Sequence, residues 1–190
     1  MKIAINGYGR IGRSFVRALA EREAAGRPAP VSLVAINDLG RAADLLYLTR
    51  YDTTHGRLDA PVALEDGCLR IGGQAPRLFS EARPEDLPWG ELGVDLVLEC
   101  SGHFRGHADA SRHLSAGAGR VIIGAVPFDR ADQTIVYGVN DGDLDPDSRV
   151  LSAASCTTHC VAPVLAALDR EFGVRQALMK EIHAYTSDQT

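Results

Sequence analysis

The chain has 190 residues, 45% of them apolar and 24% charged, with a net charge of −5. That is enough for one domain with a sizeable core, or one domain and part of another, and the composition is that of a soluble globular protein. The scattered basic residues argue against a nucleic-acid surface, no apolar run is long enough to cross a bilayer, and four cysteines without framework spacing point to reduced thiols in the cytoplasm.

The chain starts directly on a strand, "KIAIN" (2–6), with no signal peptide. In "GYGRIGRSFVRALAERE" the apolar residues Ile11, Phe15, Val16, Leu19 and Ala20 recur at helical spacing. A strand "VSLVAIN" (31–37) and a helix over 41–51 follow. Two β-like runs flank Asp66-Gly67, a hairpin signal. "VDLVLEC" (94–100) reads as a core strand, 106–117 as a helix ending at glycine, and "RVIIGAV" (120–126) and "TIVYGVN" (134–140) as strands. "RVLSAAS" leads into a helix over 156–173 closed by Gly173, and "ALMKEIHAYT" (177–186) reads as a returning strand. Strands alternating with helices imply a doubly wound α/β fold of the Rossmann type with a mostly parallel sheet. Ligands of such sheets sit at the carboxyl ends of the strands.

"NGYGRIG" places G-x-G-x-x-G at Gly7, Gly9 and Gly12, directly after a strand and opening a helix. Gly7 permits the tight turn, Gly9 lets the backbone approach a pyrophosphate, and Gly12 lets helix and strand pack closely. The helix N-terminus offers free N–H groups and partial positive charge to phosphates. Asp38 closes the second strand, where an acid bonds a ribose 2′-hydroxyl and repels a 2′-phosphate, favouring NAD over NADP. Arg41, three residues on, softens that repulsion, and an Asp at a strand end is also a common turn residue.

"SCTTHC" (155–160) admits a metal site, a disulfide or one reactive thiol. Cys68 and Cys100 are isolated, so a metal cluster lacks ligands, and cysteines four apart on a helix diverge. Cys156 follows Ser155, a good N-cap, so its thiol feels the positive end of the helix dipole. Cys160 reads as a small buried apolar residue. His183, in the following strand, is a candidate base for Cys156, whereas His55, His103, His107, His113 and His159 read as ordinary polar residues on exposed faces.

"INGYGRIGR", "VAINDL", "LPWGELGVDLVLECSGHF", "YGVN", "ASCTTHC" and "HAYTSDQ", in that order, resemble phosphorylating glyceraldehyde-3-phosphate dehydrogenase over essentially the whole chain. The resemblance implies that Cys156 is the catalytic thiol and His183 its base. It implies NAD as cofactor, with Arg10 and Ile11 binding the pyrophosphate through their backbone and Asp38 the adenine ribose. It places Ser101, Gly102 and Phe104 near the adenine and ribose, with Arg83 one place beyond the usual arginine. Ser155 and Thr157 match residues that hold the attacking phosphate, and Thr186 and Asp188 match the site for the substrate's own phosphate. The partners implied are a phosphorylated aldehyde, inorganic phosphate and further copies of the chain in a tetramer, with no nucleic acid, membrane or metal. The departures are His159 for the usual Asn, Ala153 for Asn in "SNASC", Gly124 for the Ser of "SAP", Ala82 for the Arg of "ERDP", and "KEIH" (180–183) for "TTVH".

Family chains continue past "HAYTSDQ", so the expectation is an N-terminal portion. Residues 1–155 would be the dinucleotide-binding domain and 156–190 the beginning of the catalytic domain. Such a piece is expected to bind NAD weakly through its adenosine half and to show no dehydrogenase activity. The runner-up within the enzyme class is erythrose-4-phosphate dehydrogenase. The rival from another class is a non-catalytic NAD-binding module.

Overall fold

The computed structural model describes residues 1–185. Strand β1 (Lys2–Asn6) is buried from Ile3 onward because the sheet is covered on both faces. Ile3 and Ile5 point into one core, Ala4 into the other. Helix α1 (Arg10–Ala24) lays Val16 and Ala20 on the first core, and β2 (Ser32–Asn37) then pairs parallel to β1. Helix α2 (Ala42–Arg50) adds Leu45 to the same face. A two-stranded antiparallel ribbon follows, β3 (Tyr51–Asp52) and β4 (Gly56–Arg57).

Strands β5 (Val62–Glu65) and β6 (Cys68–Ile71) form the expected hairpin. Its turn needs two left-handed residues, and Asp66 and Gly67 supply φ of 50° and 75°. Strand β7 (Arg77–Phe79) is parallel to β2. After the short helix α3 (Trp89–Leu92), β8 (Leu96–Glu99) returns to the opposite side of β1, also parallel. Helix α4 (His107–Ser115) covers the second face, and β9 (Arg120–Ile123), β10 (Gln133–Thr134) and β11 (Val150–Ser152) complete that half. The nine-stranded order is β10-β11-β9-β8-β1-β2-β7-β6-β5, antiparallel only at β5, β6 and β7. The strand order reverses between β1 and β8, and the crevice at their carboxyl ends is the ligand position for such a sheet.

Helix α5 (Cys156–Phe172) ends at Gly173, as expected, yet none of its residues is buried. Cys160 is exposed, against the expectation of a buried bystander. The strand expected over 134–140 stops at Thr134. Asn140 Oδ1 accepts from Val136 N at 2.7 Å and its Nδ2 donates to the Thr134 carbonyl at 3.0 Å, which curls the segment into turns. The strand expected over 177–186 is absent from residues 177–185. Among the described residues no strand lies beside it, and Leu178 and Ile182 are 100% and 94% exposed. An extended segment without a neighbour leaves its backbone groups unpaired.

Candidate active site

A cavity of about 460 Å³ opens where β1, β2 and β8 end. Its walls include Asn6, Gly7, Gly9, Asp38, Ser101 and Phe104. Gly7 has φ +88°, and a Cβ there would lie 2.4 Å from the Ser101 Cα, so only glycine closes this turn against the chain leaving β8. A Cβ on Gly12 would meet the Gly7 carbonyl at 2.7 Å and Ile5 Cγ2 at 3.0 Å, the close helix–strand approach expected of it. At Gly9 a Cβ would meet nothing within 4 Å. The space in front of Gly9 is open, and no side chain caps the N-terminus of α1. Free N–H groups facing open space at a helix N-terminus fit a pyrophosphate.

Asp38 lines the cavity with both carboxylate oxygens engaged. Oδ2 accepts from Tyr8 N and Oδ1 from Gly40 N, each at 2.7 Å. It is a turn residue and a cavity residue together, because it ties the glycine loop to the end of β2. Arg41 turns away onto Asp44 at 2.8 Å. Arg10 opens α1, but its side chain bonds Asp52 at 2.7 Å and Thr54 at 3.1 Å. Asp52 is held down at about 2, first by the backbone N–H groups of His55 and Thr54 and then by Arg10. Ile11 is exposed at the helix start. Gly102 takes φ +79° in the turn that carries Ser101 and Phe104 to the cavity. Arg83 is not brought in. It pairs with Asp86 at 2.7 Å, and Glu81 and Ala82 line the cavity in its place.

The second cluster lies past β11, which ends on the same carboxyl edge of the sheet. Buried Ala154 takes a left-handed φ of 56° and turns the chain into α5. Ser155 caps the helix, its Oγ accepting from Thr158 N at 2.9 Å. Cys156 is therefore the first residue of α5 and exposed. Its Sγ lies 3.0 Å from His183 Nε2, while His183 Nδ1 lies 2.6 Å from the Ala184 carbonyl. The bond to His183 leads the causes that pull the Cys156 thiol down, and the bond to Cys156 leads those that push His183 up. Both shifts favour thiolate beside imidazolium. Thr157 Oγ1 donates to Glu181, whose carboxylate is 4.0 Å from His183 Nε2. Thr186 and Asp188 lie outside the described residues.

Residues 1–107 match the model of the glyceraldehyde 3-phosphate dehydrogenase NAD binding domain, and residues 155–190 match that of the C-terminal domain. The chain belongs to the glyceraldehyde 3-phosphate dehydrogenase family. Among its relatives, the plasmid-borne glyceraldehyde-3-phosphate dehydrogenase of Cupriavidus necator is 48% identical over 189 residues, covering 100% of this chain and 55% of the relative. Glyceraldehyde-3-phosphate dehydrogenase of Streptomyces coelicolor is 46% identical over 190 residues, again 100% and 55%. That of Clostridium pasteurianum is 45% identical over 188 residues, 99% and 54%. The chain thus spans about 55% of the length of these relatives. The cofactor of this glyceraldehyde 3-phosphate dehydrogenase domain is NAD, and the open space at Gly9 fits it.

Several wall residues escape the sequence reading. Asn6 and Asn37 end β1 and β2 in register, and both line the cavity. The repeated "AIN" at the two strand ends was their signal. His103 lines the cavity while remaining exposed, as expected, whereas His113 is fully buried, against the exposed reading given to it. Among the described residues no helix is long and apolar enough to cross a membrane.

Proposed function

We propose that the natural protein carrying this chain oxidises glyceraldehyde 3-phosphate with NAD and inorganic phosphate to 1,3-bisphosphoglycerate. The observation that carries this reading is the 3.0 Å contact between Cys156 and His183 at the start of α5. A thiol there feels the positive end of the helix and has a base within reach. Gly7, Gly9 and Gly12, the backbone of Arg10 and Ile11, and Asp38, Ser101 and Phe104 would hold the cofactor. The division into a cofactor domain and the start of a catalytic domain falls after Ser155 on this reading, where Ala154 turns the chain into α5.

The Cys156 thiolate attacks the aldehyde carbon, forming a C–S bond, and His183 supplies the proton that makes the hydroxyl of the thiohemiacetal. His183 then takes that hydroxyl proton back as the carbon is oxidised to the thioester. NAD, when bound, accepts the hydride. A phosphate oxygen attacks the thioester carbon, the C–S bond breaks, and Cys156 leaves as thiolate. Ser155 and Thr157 are the hydroxyls nearest that attack on this reading, and Thr157 must release Glu181 to serve it.

The test is Cys156→Ser in the natural protein, assayed with glyceraldehyde 3-phosphate, NAD and phosphate. Turnover should fall by at least about a thousandfold while NAD affinity stays within about twofold. A serine variant with ordinary dehydrogenase rates would sink the assignment.

A further inference from the structure

Beneath the cavity runs a buried polar network that the reaction does not use. Trp89 and His113 are fully buried, and Glu99, Asn6 and Asn37 are 2–3% exposed. Trp89 Nε1 donates to His113 Nδ1 at 3.0 Å. An indole N–H only donates, so Nδ1 is the acceptor and the imidazole proton sits on Nε2. Nε2 then donates to Glu99 Oε2 at 3.0 Å. Asn6 Nδ2 donates to the same oxygen at 2.5 Å. Glu99 Oε1 accepts from Ser101 N at 2.7 Å and from the Ser101 hydroxyl. Four donors therefore converge on one carboxylate: the Asn6 amide, the His113 imidazole, and the backbone N–H and hydroxyl of Ser101.

The other end of the network is the cavity wall. Asn6 Oδ1 accepts from Asn37 Nδ2 at 2.7 Å, and Asn37 holds Glu81 through a bond in each direction, 2.9 and 2.8 Å. Ser101 Oγ accepts from His103 N at 3.1 Å, folding the 101–104 turn over Glu99. Asn6, Asn37, Glu81, Ser101 and His103 all line the cavity, whereas Glu99, His113 and Trp89 do not. Burying a carboxylate is costly unless every lone pair is used, and a glutamine of the same shape would turn an N–H₂ toward two of the four donors.

We propose that Glu99 is the positioning residue of the cofactor cavity, acting through Ser101 and Asn6 and held in place by His113 and Trp89. The proposal rests on reading the cavity as the NAD site. It predicts that Glu99 governs affinity for NAD without touching it.

The experiment is a calorimetric titration of the chain with NAD for the wild type, Glu99→Gln, Ser101→Ala and the double variant, with circular dichroism of each. Glu99→Gln should remain folded and lose about tenfold in affinity, and the double variant with Ser101→Ala should lose less than the product of the two single losses, because part of the Glu99 effect runs through Ser101. Trp89 is the single tryptophan, so its indole N–H resonance should also move in Glu99→Gln, two hydrogen bonds away. Wild-type affinity in a folded Glu99→Gln, or additive losses, overturns the proposal alone. No binding by the wild-type chain overturns the reading of the cavity, and the proposal with it. Should Glu99→Gln not fold, His113→Gln, which keeps an N–H for Glu99, is compared with His113→Leu, which has none. Tighter binding by the glutamine variant supports the proposal, and equal affinity overturns it.

Discussion

At the scale of single residues, the four cysteines separate by environment. Burial first, and the Glu99 charge second, push the Cys100 thiol up to about 12. Cys156 is exposed and pulled down, first by its bond to His183. A lowered thiol stays ionised as pH falls below the ordinary thiol range, so alkylation should persist there and fail only when Cys156 itself protonates. Peptide mapping after brief iodoacetamide treatment near neutrality should find Cys156 labelled and Cys100 spared. His183→Ala should move the midpoint of the rate–pH curve upward, toward that of an ordinary thiol. A midpoint unmoved by that change would mean the histidine does not set the thiol. The glycines separate in the same way. Gly12→Ala pushes a Cβ into the Gly7 carbonyl and should destabilise by about 1–3 kcal/mol in a denaturant titration. Gly9→Ala meets nothing and should leave stability unchanged while weakening NAD, because its methyl fills the space in front of the helix N-terminus. Equal losses of stability in both variants would contradict these two roles.

At the scale of elements, α5 owes its start to Ser155. Ser155→Ala removes the bond to Thr158 N and should cost about 1 kcal/mol of stability, measured by chemical denaturation. It should also slow Cys156 alkylation, since a frayed first turn loses the dipole that favours thiolate. Unchanged alkylation in a destabilised variant would mean that the dipole contributes nothing at the thiol. Which elements were legible follows from where their stabilising contacts lie. The strands 2–6, 31–37 and 94–100 and helix α1 carry apolar patterns that the two cores explain directly. The hairpin at Asp66-Gly67 announces itself through its turn chemistry. Strand β7 does not, because "RLF" is only three residues long and pairs with β2 across a long sequence gap. Residues 177–185 have the composition of a strand, but pairing depends on a neighbour that composition does not reveal. His113 looked like a surface residue because a polar side chain on the core face of α4 is legible only once Glu99 and Trp89 stand beside it. Cys156 and His183 were each visible by type, yet only the fold of residues 173–185 brings them to 3.0 Å.

At the scale of the whole molecule, the order of strands decides where chemistry sits. The reversal between β1 and β8 opens the cavity, and β11 delivers Cys156 from the same carboxyl edge. Every described residue lining that cavity falls between Asn6 and Phe104, and neither Cys156 nor His183 is among them. On the proposed function, cofactor binding and thiol chemistry are carried by separate stretches of one chain, and the first should operate without the second. The most direct measurement is calorimetry of the 190-residue chain with NAD and with ADP-ribose on one preparation. Binding of both, with similar affinities and equally weakened by Asp38→Ala, is the result expected of a cavity that grips the adenosine and pyrophosphate. Binding of neither ligand, or affinity for NAD alone, would contradict the account.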